Sequence, residues 1–269
     1  MSRTRYELLI TLLALFGTGC GTLQNGHLWG KDATLFPGLD RVGRSAVHAA
    51  LDPVTLVLAV GALVFVADDF DRKVSHWATE KTPVFGSQRT ANDVSDILMW
   101  SLGGCNIATA LATPSGGEAW EWVESKAEGI AVEGAAFAMA VGTTEVLKHT
   151  VRRMRPNQTS ELSFPSGHAT AGFAAATLTS KNLDSLSLSG GLRIGLKAMT
   201  YSASVATAWA RVEADKHYPS DVLAGAAIGH FLTAFIHDSF LGLPENTTPF
   251  HLEFAPVKKG FLLSAGWAF

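Results

Sequence analysis

Apolar positions recur in six helix-length stretches along the chain, at 47–67, 94–113, 121–154, 166–179, 192–212 and 221–241. Each stretch is bounded by helix-breaking residues: Thr82-Pro83, Pro114-Ser115-Gly116-Gly117, Arg155-Pro156, Ser189-Gly190-Gly191 and Tyr218-Pro219. Proline lacks the N–H that a helix interior needs, and glycine favours the turns between helices. The pattern predicts an all-α fold, a six-helix bundle occupying residues 45–243. Gly225 and Gly229 are spaced for one helix to approach another closely. In the tail, 244–269, the period changes to two. Residues 251–254 and 260–269 read as strands around a Lys258-Lys259-Gly260 turn, a short C-terminal β-hairpin packed on the bundle.

The amino end has a different pattern. Arg3 and Arg5 precede an apolar run at 8–16, followed by Gly17, Thr18 and Gly19. That order predicts a secretory signal over 1–19. Cys20, directly after the small residues, resembles the lipidated cysteine of a bacterial lipoprotein box, although Gly17 stands where that box usually has leucine. The reading is a lipid-anchored protein on the periplasmic side of the cell envelope, with a cleaved or uncleaved signal as the alternative. Residues 20–44 are expected to be a tether with little packing of their own.

Composition narrows the function classes. With 269 residues, 47% hydrophobic and 17% charged, the chain has one main domain and a real core. A net charge of −3 gives no general attraction for nucleic acid, so phosphate chemistry must rely on local cations. Two cysteines, Cys20 and Cys105, exclude a disulfide scaffold and a four-cysteine zinc site, and Cys105 is expected to be buried. A membrane span wants about 20 mainly apolar residues. No stretch here is clean: 53–67 is short, 97–117 carries Asn106 and Pro114, and the third and last helices carry Glu133, Glu145 and His230. These lengths favour a tethered bundle with at most partial immersion over one that spans the bilayer.

Three clusters join charged groups to helix boundaries. Lys148 and Arg155 are seven residues apart, nearly two helical turns, so a continuous helix would present both on one face before Pro156. Pro165-Ser166-Gly167-His168 opens an apolar small-residue run, where free backbone N–H groups make an anion site with His168 at its mouth. Arg211, His217 and Asp221 form the third, Asp221 being placed to accept the imidazole proton of His217. The acidic run Asp68-Asp69-Phe70-Asp71 reads as a solvated helix end. His48, His76, His149, His230 and His237 show no metal-ligand spacing.

Taken together, the three clusters resemble the tripartite signature of the type 2 phosphatidic acid phosphatase superfamily, which includes bacterial non-specific acid phosphatases and vanadium haloperoxidases. The resemblance covers 148–221, and the helix pattern extends it over most of the chain. It departs at Ala210, where the family usually has serine. The resemblance implies a metal-independent phosphatase, without a cofactor, that hydrolyses phosphomonoesters or diphosphates of lipids or small molecules. Lys148, Arg155, Ser166, Gly167 and Arg211 would hold the phosphoryl oxygens. His217 would be the nucleophile, Asp221 its orienting carboxylate and His168 the general acid and base. Vanadate-dependent halide oxidation, or phospholipid binding without catalysis by an envelope lipoprotein, are the alternatives.

Overall fold

The computed structural model describes residues 19–23, 26–242, 250–257 and 260–267. Within them the chain forms α1 (Leu39–Leu51), α2 (Pro53–Val66), a 3₁₀ turn (Ala67–Asp69), α3 (Phe70–Lys81), α4 (Gln88–Ala112) and α5 (Ala119–Val151). It continues with α6 (Gly167–Ser185), α7 (Gly190–Glu213), α8 (Pro219–Phe240), β1 (Phe250–Val257) and β2 (Gly260–Trp267). The strands pair antiparallel, Phe250 opposite Trp267 and Val257 opposite Gly260. Lys258, Lys259, Ala268, Phe269 and the signal segment 1–18 lie outside the described residues.

The all-α bundle is therefore present, with eight α-helices among the described residues rather than six. Two local features account for the difference. The stretch expected to be one helix over 47–67 is split at Asp52-Pro53 and bends by 54°. Pro53 cannot continue the hydrogen-bond ladder of α1, and the Asp52 side chain caps α2 by accepting from the Val54 N–H at 2.8 Å. The second feature is α3, whose buried stripe of Asp71, Ser75 and Ala78 is polar or small and so left no apolar period to read.

The bundle is organised around α6. Every residue from Ala169 to Thr179 is buried, and six of these eleven are alanine or glycine. A helix enclosed on all sides gains most from small side chains, because they let neighbouring backbones approach. Its partners are α4, α5, α7 and α8. At Gly225 and Gly229 of α8 the approach leaves no room for a Cβ, which would fall 2.4 Å from the Ser166 carbonyl oxygen and 2.3 Å from that of Thr170. The close helix contact expected at this glycine pair is the α6–α8 contact, and it carries Asp221 alongside Ser166.

The amino-terminal arm packs more than its composition predicts. Trp29 is buried, its ring sits where a Cβ on Gly129 would be, and its N–H donates to the Pro114 carbonyl at 2.8 Å. Lys126 lies 4.9 Å from the centroid of that ring and donates to the Ala110 and Thr113 carbonyls, satisfying the end of α4. Cys105 is exposed on α4, not buried. Among the described residues three helices, α4, α5 and α8, are long and apolar enough to cross a membrane, and the bent pair α1–α2 passes the same test jointly. Trp100, Ile107, Trp120 and Val146 stand exposed on two of them.

Candidate active site

The three clusters meet at one end of the bundle, where α4 and α7–α8 flank the start of α6. The two sequence-distant histidines occupy different settings there. His217 is buried in the turn between α7 and α8, while His168, in the first turn of α6, keeps about a quarter of its side chain exposed.

His217 Nδ1 lies 2.6 Å from the backbone carbonyl oxygen of Ser163. A carbonyl can only accept, so Nδ1 carries the proton and Nε2 presents a lone pair. Burial, then the charges of Arg211 and Arg155, push this imidazole well below its ordinary pKa; the Ser163 carbonyl opposes them, and Lys148 adds a smaller push in the same downward direction. Three cations from separate elements thus act on one neutral ring.

Asp221 does not bond His217 directly, as the four-residue spacing had suggested. Its nearest oxygen is 3.9 Å from Nδ1. The carboxylate caps its own helix instead, accepting from the Tyr218 N–H at 2.9 Å and from the Ser163 hydroxyl at 2.5 Å. Asp221 therefore reaches the histidine through Ser163.

The cations are placed by three elements. Lys148 is in the last turn of α5 and pairs with Glu145 at 2.5 Å. The expected shared helical face with Arg155 is not formed. Arg152 closes α5 in the left-handed region, at φ 50°, so Arg155 is carried by the following loop, its N–H held by the Ser160 carbonyl at 2.9 Å. Arg211, near the end of α7, is fixed by Asn92 and Ser95 of α4, at 2.9 and 3.0 Å. Among the described residues, three buried atoms of these groups have no partner: Arg155 Nε, Arg211 Nε and Ser166 Oγ. Unsatisfied buried donors of this kind suit an oxyanion.

Ser166 is the residue before α6, and its own N–H is taken by the Asp221 carbonyl at 2.9 Å. The anion site at this helix start therefore falls to Gly167. A Cβ at Gly167 would lie 3.0 Å from Lys148 Nζ, so the missing side chain is what lets the ammonium come to the helix start. His168 Nε2 pairs with Asp96 of α4 at 2.6 Å.

Residues 131–242 match the PAP2 superfamily. The matched segment runs from within α5 to just past the end of α8. A segment 34% identical over 107 residues occurs in the lipid A 1-phosphatase of Porphyromonas gingivalis, covering 39% of this chain and 23% of that protein. The decaprenylphosphoryl-5-phosphoribose phosphatase of Mycobacterium tuberculosis is 32% identical over 114 residues, 39% of this chain and 58% of that one. The chain thus spans about a quarter and somewhat over half the lengths of these two relatives. The crystal structure of a transmembrane PAP2-type phosphatidylglycerolphosphate phosphatase from Bacillus subtilis has the same fold. It aligns with a TM-score of 0.50 at 17% identity, over 68% of this chain and 92% of that one.

The matched segment is completed by side chains from outside it. Asn92, Ser95 and Asp96 of α4 were not singled out in the sequence, because a polar residue on a long helix carries no local mark of what it faces. Asp71 of α3, read as solvated, is buried and bonded to the start of α8 through the Ser220 N–H at 2.8 Å. Ala210, where the family usually has serine, packs in a small cluster with Ala91, Ala214 and Phe85.

Proposed function

We propose that this protein is a phosphatase that hydrolyses phosphomonoesters or diphosphates of lipids through a phosphohistidine on His217. The observation that carries the reading is the bond from His217 Nδ1 to the Ser163 carbonyl, which leaves Nε2 unprotonated beside Lys148, Arg155 and Arg211.

The chemistry follows from these groups. The Nε2 lone pair attacks phosphorus while the bond to the leaving oxygen breaks, and His168 gives that oxygen its proton. Lys148, Arg155, Arg211 and the Gly167 N–H stabilise the charge on the three equatorial oxygens. Water, losing its proton to His168, then attacks phosphorus and breaks the P–N bond. Inorganic phosphate leaves and both histidines return to their starting states. The cations supply the charge that a metal ion would otherwise bring.

Two features support a lipid as the substrate. A cavity of about 580 Å³ beside the nucleophile turn is lined by the apolar Val66, Val151, Met154 and Phe164 and by Asp69, Asp71, Arg72, Arg153 and Tyr218, a lining with both apolar and charged groups. The apolar outer faces of α4 and α5 fit a bilayer, and we take α4, α5 and α8 to cross it. Cys20, exposed at the arm, is the candidate lipidated residue of an envelope protein.

Phosphate release from a panel of lipid phosphates, lipid diphosphates and soluble monoesters tests the proposal. Turnover is expected to survive EDTA and to be inhibited by vanadate, whose five-coordinate form mimics the transition state. Halide oxidation with added vanadate and no phosphate release would make the haloperoxidase reading correct. Loss of turnover in EDTA, restored by magnesium or zinc, would overturn the mechanism.

A further inference from the structure

Arg153 lies two residues before the Arg155 of the phosphoryl cradle and points elsewhere. Its Nη1 donates to Asp221 Oδ1 and to the Ser220 hydroxyl, each at 2.7 Å, and its Nη2 to Asp71 Oδ2 at 2.6 Å. The guanidinium carbon lies 4.1 Å from the centroid of the Tyr218 ring. Asp71, 4% exposed, also accepts from the N–H and hydroxyl of Ser220. Two buried carboxylates from α3 and α8 therefore share one guanidinium, and the Ser220 hydroxyl bridges that guanidinium to Asp71.

The network continues to the reacting ring. The other oxygen of Asp221 holds the Ser163 hydroxyl, and the Ser163 carbonyl accepts from His217 Nδ1. We propose that Arg153, anchored by Asp71, is a positioning residue that fixes Asp221 and Ser163 and so aims the Nε2 lone pair of His217 at phosphorus. This rests on the reading of His217 as the nucleophile. Without Arg153, Asp71 and Asp221 face each other uncompensated, an arrangement that buried carboxylates relieve by moving apart or taking up a proton. Either change releases Ser163. Arginine suits the task because its planar fork reaches two carboxylates at once, which a lysine ammonium does less well.

The test uses the full chain in detergent, with the variants Arg153→Met, Arg153→Lys and Asp71→Asn. Displacement of a reacting group by about 1 Å costs on the order of 10²-fold, so Arg153→Met is expected to lose about that factor in kcat. KM and inhibition by inorganic phosphate should hold, since the cradle cations are untouched. Arg153→Lys should recover part of the loss. Adding Arg153→Met to Asp221→Asn should cost nothing further, because both act through the same link. Losses that multiply in that pair, an unchanged kcat, or inhibition by inorganic phosphate that weakens in step with kcat would overturn the proposal. If Arg153→Met does not fold, the milder Arg153→Lys and Asp71→Asn carry the same comparisons. Ring ¹⁵N spectra of labelled histidine separate this inference from the phosphatase reading. A single Nδ1–H form of His217 in the unmodified protein, lost in Arg153→Met, supports positioning even where no substrate turns over. An unaltered form in that variant refutes it.

Discussion

Asp96 Oδ1 lies 2.6 Å from His168 Nε2, tying the first third of α4 to the first turn of α6. The carboxylate stabilises the imidazolium, and it works against a larger opposing set. Burial, Arg211 and Lys148 lower the His168 pKa, and the net direction is down from 6.5. The proposed reaction needs His168 protonated and His217 unprotonated at the start. His217 sets the acid limb of the kcat/KM profile and His168 the alkaline limb, so activity should decline as pH rises through a value below the ordinary histidine range.

Asp96→Asn removes a contribution that raises the His168 pKa. The alkaline limb should therefore move to lower pH while the acid limb stays in place, as measured by kcat/KM across pH. An alkaline limb that does not move would detach Asp96 from the acid.

The two histidine roles predict different substitution patterns. His217→Ala removes the nucleophile, so turnover should fall to background on every ester. General acid help is worth about 10² to 10⁴ in rate, and its loss in His168→Ala should fall mainly on alkyl phosphates. A nitrophenyl phosphate, with a good leaving group, should be spared more. Rapid quench should trap phosphohistidine in His168→Ala with the activated ester and not in His217→Ala. Equal losses on both esters for His168→Ala would mean that the assignments are wrong.

What was legible in the sequence was what lies close along the chain. The Pro165–His168 turn, the Arg211–His217 spacing and the Gly225–Gly229 pair all rest on residues within six positions of each other, and local pattern is enough for those. The errors arose where a partner comes from elsewhere. His217 and Asp221 are four apart, yet it is a carbonyl 54 positions away that accepts the hydrogen bond of the ring N–H. Lys148 and Arg155 have helical spacing, but Arg152 turns left-handed between them. Asp71 is polar in sequence and buried in fact, because Arg153 and Ser220 arrive to satisfy it. Hydrophobic periodicity records the side chains that avoid water. It does not record a carboxylate kept out of water by its partners.

Gly167→Ala tests the approach of Lys148. The new Cβ would stand 3.0 Å from Nζ, and the obstacle is the end of a flexible side chain, so the helix should survive while the ammonium is displaced. A hydrogen bond to a charged group is worth about 1.5–3 kcal/mol, and each 1.4 kcal/mol is about tenfold in affinity. Vanadate inhibition should weaken by about tenfold or more, with the melting temperature nearly unchanged. Full vanadate affinity in Gly167→Ala would remove Lys148 from the cradle.

The last prediction concerns the two ends of the bundle. Next to Cys20, Gly21 exchanges two backbone hydrogen bonds with Gly116, in the turn between α4 and α5. The phosphoryl cradle lies at the other ends of those helices, with Asp96 and Ser95 early in α4 and Lys148 late in α5. At about 1.5 Å per residue, Asp96 to Ala112 spans roughly 24 Å and Ala119 to Lys148 roughly 44 Å, against a hydrocarbon core of about 30 Å. Where α4 and α5 cross the bilayer, Cys20 and the active site must therefore lie on opposite faces. Cys20→Ala should abolish incorporation of labelled lipid, which identifies the anchored face. An impermeant maleimide should then reach a Glu161→Cys thiol, in the exposed loop before Pro165 and with Cys105→Ser as background, only from the other face. Labelling from the anchored face would mean that these helices lie against the membrane, with the site held away from the lipid that Cys20 carries.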